Sequence, residues 1–251
     1  MDQNLILELL EDYENKMFLK DLKKKYKTSS DTIYKLIKEY GVKKTNYKDL
    51  SIFKDITNKE LQYWLGYICA DGSIQYDTIK RVYKVSLFSK DEEVVLNFKK
   101  FFGDIVCLHY RSTSDIKEAY ISSKELCEFF INELNITPKK AFTLDPNIDF
   151  TSNFILGYFD GDGSIANSTE IRTRYESKFT SGSESFLNKI KEITDTLDIY
   201  SIIRSKGTSF DLCYERKSES EKLYKYLYQD MKVCLSRKLN NFVALFGNIE
   251  K

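Results

Sequence analysis

Two stretches of this chain decide its fold: residues 65–74 read LGYICADGSI and residues 156–165 read LGYFDGDGSI. Seven of the ten aligned positions are identical, and every aligned pair is 91 residues apart. A repeat at this distance indicates two related half-domains, because solenoid units recur about every 20–50 residues. Each copy is an apolar run that ends in Asp-Gly-Ser. The sequence therefore predicts one carboxylate, Asp71 or Asp162, at a helix end in each half.

The same order of elements, αββαββα, is predicted around each copy. A capping-box pattern, Thr57 with Glu60, starts the first motif helix. The other elements of the first half are predicted near residues 73–78, 82–89, 91–102, 104–111, 117–122 and 123–135. Those of the second half are predicted over residues 152–161, 164–169, 171–181, 183–197, 199–205, 208–215 and 217–230. The fold class is α+β, a pseudo-twofold tandem with antiparallel sheets, whose halves span 57–145 and 146–251.

Ahead of this tandem, residues 1–44 predict a small all-α module. Residues 16–48 carry eleven Lys and three acids, a net charge of +8 in a chain whose total is +1. The stretch MFLKDLKKKYKTSSDTIYKLIKEYGV resembles a helix-turn-helix of the invertase and transposase kind, whose third helix enters the major groove. Its candidate contacts with DNA are Ser29, Ser30, Thr32 and Lys35. The alternative is a helical bundle that only packs, and residues 45–56 are predicted to be a linker.

Composition excludes several classes of function. No apolar run reaches the length of about 18 residues that a membrane span needs, and the acidic N-terminus lacks the pattern of a signal peptide. Five dispersed cysteines and a single histidine, His109, disfavour both a zinc site and a disulfide framework. We therefore expect a cytoplasmic protein, associated with the nucleoid, or with an organellar matrix in a eukaryotic host.

The repeated phrase also predicts a pairing of helices. Gly66 and Ala70, like Gly157 and Gly161, are four residues apart and share one helix face. Two such faces allow close parallel packing, which would bring Asp71 and Asp162 together. Carboxylates at helix C-termini repel each other and the helix dipole, so the arrangement favours a divalent cation such as Mg²⁺. Metal-assisted phosphodiester hydrolysis is the matching chemistry.

The duplicated phrase resembles the signature of the LAGLIDADG homing endonucleases in their single-chain, two-motif form, over about residues 55–245. The resemblance implies curved antiparallel sheets that follow the DNA major groove, and double-strand cleavage that leaves 3′ overhangs. It also implies that Asp71 and Asp162 bind the metal, and that one basic residue, Lys140 or Lys238, assists in each half. The position two before the metal aspartate is often acidic in the family, and here it is Cys69 in the first half and Asp160 in the second. Asp160 is not expected to be a metal ligand.

A basic sheet face is predicted from strand alternation over residues 171–180, and basic residues elsewhere extend it. The candidate DNA contacts of the tandem are Lys84, Arg111, Lys117, Arg172, Arg174, Lys178, Arg204 and Lys206. An ordinary solvated sheet face is the alternative for any one of them. The predicted partner is double-stranded DNA, bound by a monomer that is an internal pseudo-dimer, without a membrane.

Three functions remain open on the sequence. The favoured one is a site-specific, metal-dependent double-strand DNA endonuclease of the homing type. A regulator that binds DNA without cutting it, or an RNA-splicing maturase, could use the same fold. Retention of both Asp71 and Asp162 favours the nuclease. The third, a protein unrelated to nucleic acids, is disfavoured by the basic N-terminal block.

Overall fold

A computed structural model of the protein describes residues 2–14, 17, 19–42, 50–110, 114–166 and 175–249. The chain divides into two compact units, Met1–Asp49 and Leu50–Lys251. The division falls inside the predicted linker 45–56. None of the described helices combines the length and the apolar character of a membrane span.

The N-terminal unit contains three helices among its described residues, α1 (Gln3–Glu14), α2 (Leu19–Tyr26) and α3 (Ser30–Glu39). Their apolar faces form a core of their own, made of Leu9, Leu10, Leu22, Tyr26, Ile33 and Ile37. The hydroxyl of Ser29 accepts a hydrogen bond from the backbone N–H of Thr32 at 3.2 Å and so caps α3. Ser29, Thr32 and Lys35 are exposed and Ser30 is half-buried. Three helices fit both the helix-turn-helix and the small bundle.

The larger unit repeats one arrangement twice and confirms the predicted fold class. The first half contains α4 (Lys59–Asp71), β1 (Gly72–Asp77), β2 (Val82–Ser89), α5 (Glu92–Phe102), β3 (Cys107–Tyr110), β4 (Lys117–Ile121) and α6 (Lys124–Asn132). The second contains α7 (Ser152–Asp162), β5 (Gly163–Ile165), β6 (Ser177–Ser181), α8 (Glu184–Thr196), β7 (Ile202–Ser205), β8 (Phe210–Tyr214), α9 (Lys217–Tyr228) and α10 (Ser236–Phe246). Three candidate DNA contacts, Arg111, Arg172 and Arg174, lie outside the described residues.

Two predicted details of the helices are wrong. Asn58, not Thr57, caps α4, and its side chain accepts hydrogen bonds from the N–H groups of Glu60 and Leu61, both at 3.0 Å. Thr57 binds the carboxylate of Asp55 instead. The second half also has a further helix, α10, where the sequence analysis ended the elements at residue 230.

Each half builds a four-stranded antiparallel sheet from its described residues, in the order β1-β2-β4-β3 and β5-β6-β8-β7. One face of each sheet carries the core residues, such as Leu87 and Ala119 in the first and Phe179 and Leu212 in the second. Alternate positions form what we call the outer face of each sheet. The outer face includes Lys84, Ser86 and Glu118 in the first half, and Lys178, Thr180 and Asp211 in the second.

Candidate active site

The two motif helices touch through their backbones. A Cβ on Gly66 would lie 2.0 Å from the carbonyl oxygen of Phe154, and a Cβ on Gly157 would lie 1.9 Å from that of Tyr63. Further along, a Cβ on Gly161 would lie 2.3 Å from the Cβ of Ala70. The helices therefore run in parallel at a distance that only glycine permits, and their C-terminal ends reach the same end of the interface.

Asp71 and Asp162 are the last residues of these two helices. Both remain exposed to solvent, yet the surrounding protein removes part of the water around their carboxyl groups. This partial desolvation, followed by the negative charge of Asp71, raises the pKa of Asp162 to about 6. Desolvation also raises the pKa of Asp71, against the nearby charges of Lys238 and Lys140. The structure thus brings together two carboxylates that repel each other.

A tyrosine in each motif, which was not among the predicted site residues, supports the helix end. The hydroxyl of Tyr67 donates to Ser89 Oγ at 3.2 Å, and that of Tyr158 donates to the carbonyl of Thr180 at 2.9 Å. Both tyrosines are buried, and burial raises the pKa of each hydroxyl. These bonds tie the helices to β2 and β6. Their identical place in both copies of the phrase was an available signal.

Lys140 stands in a 3₁₀ turn, Lys140–Phe142. Its Nζ donates to the carbonyl oxygen of Gly72 at 2.7 Å, directly after Asp71. Among the described residues this carbonyl is its one hydrogen-bond acceptor, so two N–H groups of a half-buried ammonium remain for a water or a phosphate. Burial lowers the pKa of Lys140.

Lys238 differs from Lys140, although the spacing of the two lysines predicts one shared role. It is 3% exposed, and its Nζ donates to the carbonyls of Phe159 at 2.5 Å, Asp160 at 2.8 Å and Gly163 at 2.6 Å. All three ammonium N–H groups are therefore engaged by the C-terminal end of α7, where a cation also opposes the helix dipole. Burial lowers the pKa of this lysine. The geometry makes Lys238 a cap of the helix that carries Asp162.

Asp160 lies beneath this end of the helix. It is 1% exposed, and its Oδ2 accepts hydrogen bonds from the hydroxyl of Tyr63 at 2.9 Å and from the backbone N–H of Leu235 at 2.7 Å. Burial raises the pKa of Asp160. The equivalent residue of the first half, Cys69, is a buried thiol. The two halves of the site are therefore not equivalent.

The outer faces of the sheets hold their lysines against buried acids at equivalent positions. Glu118 accepts from Lys84 at 2.6 Å, and Asp211 accepts from Lys178 at 2.9 Å and from Lys206 at 2.5 Å. Hydrogen bonds from these lysines lower the pKa of both acids and outweigh the opposite effect of burial. These cations are oriented but already partly neutralised.

Two other predicted DNA contacts, Arg204 and Lys117, do not share this pairing with Glu118 or Asp211. Arg204 is on the outer face and pairs with Glu215. Lys117 lies opposite Ser89 and Tyr110 and shares the alternation of Ala119, which belongs to the core face of the sheet. Its Nζ donates to the carbonyl of Lys90 at 3.1 Å. Lys117 therefore does not extend the outer face.

A family model matches part of this architecture. The model of the LAGLIDADG-like domain matches residues 149–229, which include the second motif and its Asp162. This part of the second half is therefore similar to a LAGLIDADG-like domain. The first half of the larger unit lies outside that match and repeats the same elements.

Solved structures are similar to this chain at the level of the fold. The I-SmaMI LAGLIDADG homing endonuclease bound to cleaved DNA superposes with a TM-score of 0.52 and 17% identity, over 73% of this chain and 86% of that chain. I-DmoI in complex with DNA and Mn superposes with a TM-score of 0.50 and 15% identity, over 70% of this chain and 100% of that chain. I-SmaMI bound to an uncleaved target in the presence of calcium ions also gives 0.50, at 15% identity over 74% and 97% of the two chains.

A curated sequence relative of this chain is the DNA-directed RNA polymerase subunit Rpo1C of Methanocaldococcus jannaschii. The two are 29% identical over 160 residues, which is 60% of this chain and 17% of that subunit. The match therefore spans a small part of the relative.

The residues of the candidate site suit a divalent cation that is bound jointly with a substrate. Asp71 and Asp162 offer hard oxygen donors. Desolvation and then the negative charge of Asp71 raise the pKa of Asp162, and a bound cation would relieve the repulsion between the two carboxylates. The described residues contain no group of three or more His, Cys, Asp or Glu side chains able to hold a metal. Mg²⁺ is commonly held by one or two carboxylates, with water and phosphate completing its shell.

Proposed function

We propose that this protein is a site-specific double-strand DNA endonuclease of the homing type. The observation that carries the proposal is the pair of carboxylates, Asp71 and Asp162, at the adjoining ends of two parallel helices in contact. A divalent cation bound there would supply Lewis-acid polarisation of a phosphate oxygen and of a water molecule. Two such carboxylates have no evident use in a protein that only binds DNA.

The chain itself would perform the remaining tasks. Asp71 and Asp162 would hold the cation, and the backbone contacts at Gly66 and Gly157 fix the separation of the helices. Lys140, whose ammonium is bound to the carbonyl of Gly72 directly after Asp71, would orient a water or stabilise charge on the phosphate. Lys238 keeps the end of α7 in place and offsets the charge of Asp162.

DNA would lie along the outer faces of the two sheets. Lys84, Lys178, Lys206 and Arg204 belong to these faces, and their pairing with Glu118, Asp211 and Glu215 restricts their orientation. Ordered side chains lose less entropy when they contact base edges or phosphates. We propose that the basic N-terminal unit adds a second contact through Ser29, Ser30, Thr32 and Lys35 at the start of α3.

The test is a cleavage selection from randomised duplex DNA with Mg²⁺, followed by strand-resolved assays on the recovered target. The wild-type protein should cut both strands with Mg²⁺ or Mn²⁺ and only bind the DNA with EDTA. Asp71→Asn and Asp162→Asn should abolish double-strand cleavage while binding stays equal or tightens, since each substitution removes repulsion toward phosphate. Asp104→Asn, at an exposed aspartate in a different turn, is the control.

Other outcomes would overturn the proposal. A protein that binds a defined DNA but leaves it uncut in every divalent cation would be a binding protein on this fold. Full-rate cleavage by Asp71→Asn or Asp162→Asn would remove the two aspartates from the chemistry.

A further inference from the structure

Each half of the larger unit holds the lysine-bearing segment of the other half. The segment that carries Lys140 contacts the turn between β6 and α8. Ser183 Oγ donates to the carbonyl of Leu144 at 2.9 Å, and a Cβ on Gly182 would lie 2.3 Å from the carbonyl oxygen of Ala141. The first half's lysine therefore depends on a turn of the second half.

The reverse contact is made of charged groups. Glu93, in the first turn of α5, accepts from the backbone N–H of Ser236 at 2.9 Å and from its hydroxyl at 2.6 Å. Beside it, Asp91 accepts from Arg237 Nε at 3.0 Å. We call these four residues the cross-half cap. It joins the first half to the beginning of α10, two residues before Lys238.

The beginning of a helix is where such a contact has most effect. The first N–H groups of a helix lack internal partners and carry partial positive charge. In α10, Asp160 of the second half accepts from Leu235 and Glu93 of the first half accepts from Ser236. Both halves thus cap one helix end, and Lys238 lies in the first turn of that helix.

We propose that Glu93, supported by Asp91, is a positioning residue for the second half's cleavage site. It acts through α10 on Lys238, whose ammonium holds the carbonyls on either side of Asp162. This inference rests on the proposed endonuclease function. In this proposal the aspartate and the lysine of each half serve one DNA strand, so loss of the cross-half cap should slow one strand's cleavage more than the other's.

The experiment uses the full chain on the target that the wild-type selection recovers, with the two strands labelled separately. Glu93→Ala should slow one strand by about tenfold or more, since small displacements at a site have large kinetic effects. Glu93→Gln, which keeps an acceptor for the Ser236 N–H, should recover most of that rate. Glu92→Ala, at the exposed neighbour in the same helical turn, is the matched control and should cut both strands normally.

The contact between Gly182 and Ala141 supplies a second experiment. Gly182→Ala should displace Ala141, and with it Lys140, and so slow the strand that Glu93→Ala spares. If Glu93→Ala does not fold, Ser236→Ala, which removes only the hydroxyl donor, should slow the same strand to a smaller extent. Equal slowing of both strands by these variants, or normal cleavage by Glu93→Ala, would overturn the inference.

A third readout does not depend on cleavage. Amide hydrogen exchange at Ser236 should accelerate in Glu93→Ala and stay unchanged in Glu92→Ala, because the Ser236 N–H donates to Glu93. The Leu235 N–H, which donates to Asp160, serves as an internal reference. Unchanged exchange in Glu93→Ala would contradict the role of the cross-half cap. A wild-type protein that cuts no DNA would instead contradict the proposed function, and exchange would still test the cap.

Discussion

At the scale of single residues, Lys140 and Lys238 show how similar spacing can hide different environments. They follow their motif aspartates by 69 and 76 residues, which suggests equivalent roles. In the structure, Lys238 donates to three carbonyls at the end of α7, whereas Lys140 donates to the carbonyl of Gly72. A lysine whose N–H groups are all engaged supports a helix end more readily than it assists a reaction.

Substitution of the two lysines should separate these roles. Lys140→Ala should slow cleavage by about 10², the effect expected for removal of one electrostatic donor, with little change in melting temperature. Lys238→Ala should lower the melting temperature clearly, since it leaves three buried carbonyl groups without their charged donor, at about 1–3 kcal/mol or more. Thermal denaturation and single-turnover cleavage of both variants check this. Equal effects on stability would show that the lysines are equivalent after all.

Part of the site could be predicted at this scale and part could not. Asp71 and Asp162 stand in a repeated phrase, and repetition is visible in the sequence. The partners of Asp160 are Tyr63, 97 residues before it, and Leu235, 75 residues after it. Contacts at such separations depend on how the halves pack, which local patterns do not contain.

At the scale of elements, the pairing of α4 with α7 is the most constrained contact in the larger unit. Gly66→Ala would place a methyl group 2.0 Å from a backbone oxygen of the partner helix. Neither backbone can give way without moving its helix, so we expect a decrease of about 3 kcal/mol or more in the free energy of unfolding. Gly207→Ala, at φ 79° with open space around its Cβ, is the control for backbone strain alone.

Chemical denaturation of these two variants measures the difference. Gly66→Ala should also impair cleavage, because the separation of the two aspartates depends on the same contact. If Gly66→Ala lowered the free energy of unfolding by no more than Gly207→Ala does, the two motif helices could move apart without loss of stability.

The acids of the outer faces predict a dependence of stability on pH. Hydrogen bonds from Lys206 and Lys178 lower the pKa of Asp211 in the folded state below its ordinary value, despite burial. A lowered folded-state pKa stabilises the protein above the unfolded-state value of about 4, and the stabilisation disappears as the pH falls through the folded-state pKa. Asp211→Asn should therefore cost about 1–3 kcal/mol at pH 7 and progressively less below pH 4.

Urea denaturation at several pH values tests this expectation. The matched control is Asp230→Asn, whose ion pair with Lys59 has the same 2.9 Å length as Lys178–Asp211 but is largely exposed. Exposed pairs contribute about 0–1 kcal/mol. A cost of Asp211→Asn that does not change with pH would show that its charge is unimportant.

The elements themselves were largely predictable. Alternation of apolar and polar residues indicated the strands, and capping residues such as Ser29 indicated a helix start. Helix α10 was missed although Leu235, Leu239, Phe242 and Phe246 repeat at helical spacing, because the repeat had already been completed at residue 230. A tandem pattern therefore predicts the elements that both halves share, but not an element such as α10 that follows the repeat in one half.

At the scale of the whole molecule, the two units have separate apolar cores, one built around Leu22 and Ile33 and the other around the motif helices. A protein beginning at Leu50 should therefore fold and, if Asp71 and Asp162 perform the proposed cleavage, cut DNA at the same position as the full chain. It should bind DNA more weakly, with a shorter footprint on one flank. Its log–log salt slope should fall by about 0.9 for each phosphate that the shorter protein no longer neutralises.

Footprinting and binding at several salt concentrations compare the two lengths of chain on one DNA. An unchanged footprint and salt slope would show that residues 1–49 do not touch DNA, and the helix-turn-helix interpretation would be wrong. A truncated protein that fails to fold would show that the units are less independent than their cores indicate.

The exchange of contacts through Glu93 and Gly182 also limits how the protein can be recombined. Chimaeras that join one half of this chain to a half from a relative would keep the motif-helix contact if the glycines match. They would lack the cross-half cap unless an acid at position 93 and a helix like α10 are transferred as a matched set. We therefore expect a chimaera to cleave DNA well only when both halves come from the same protein, although each half repeats the same fold.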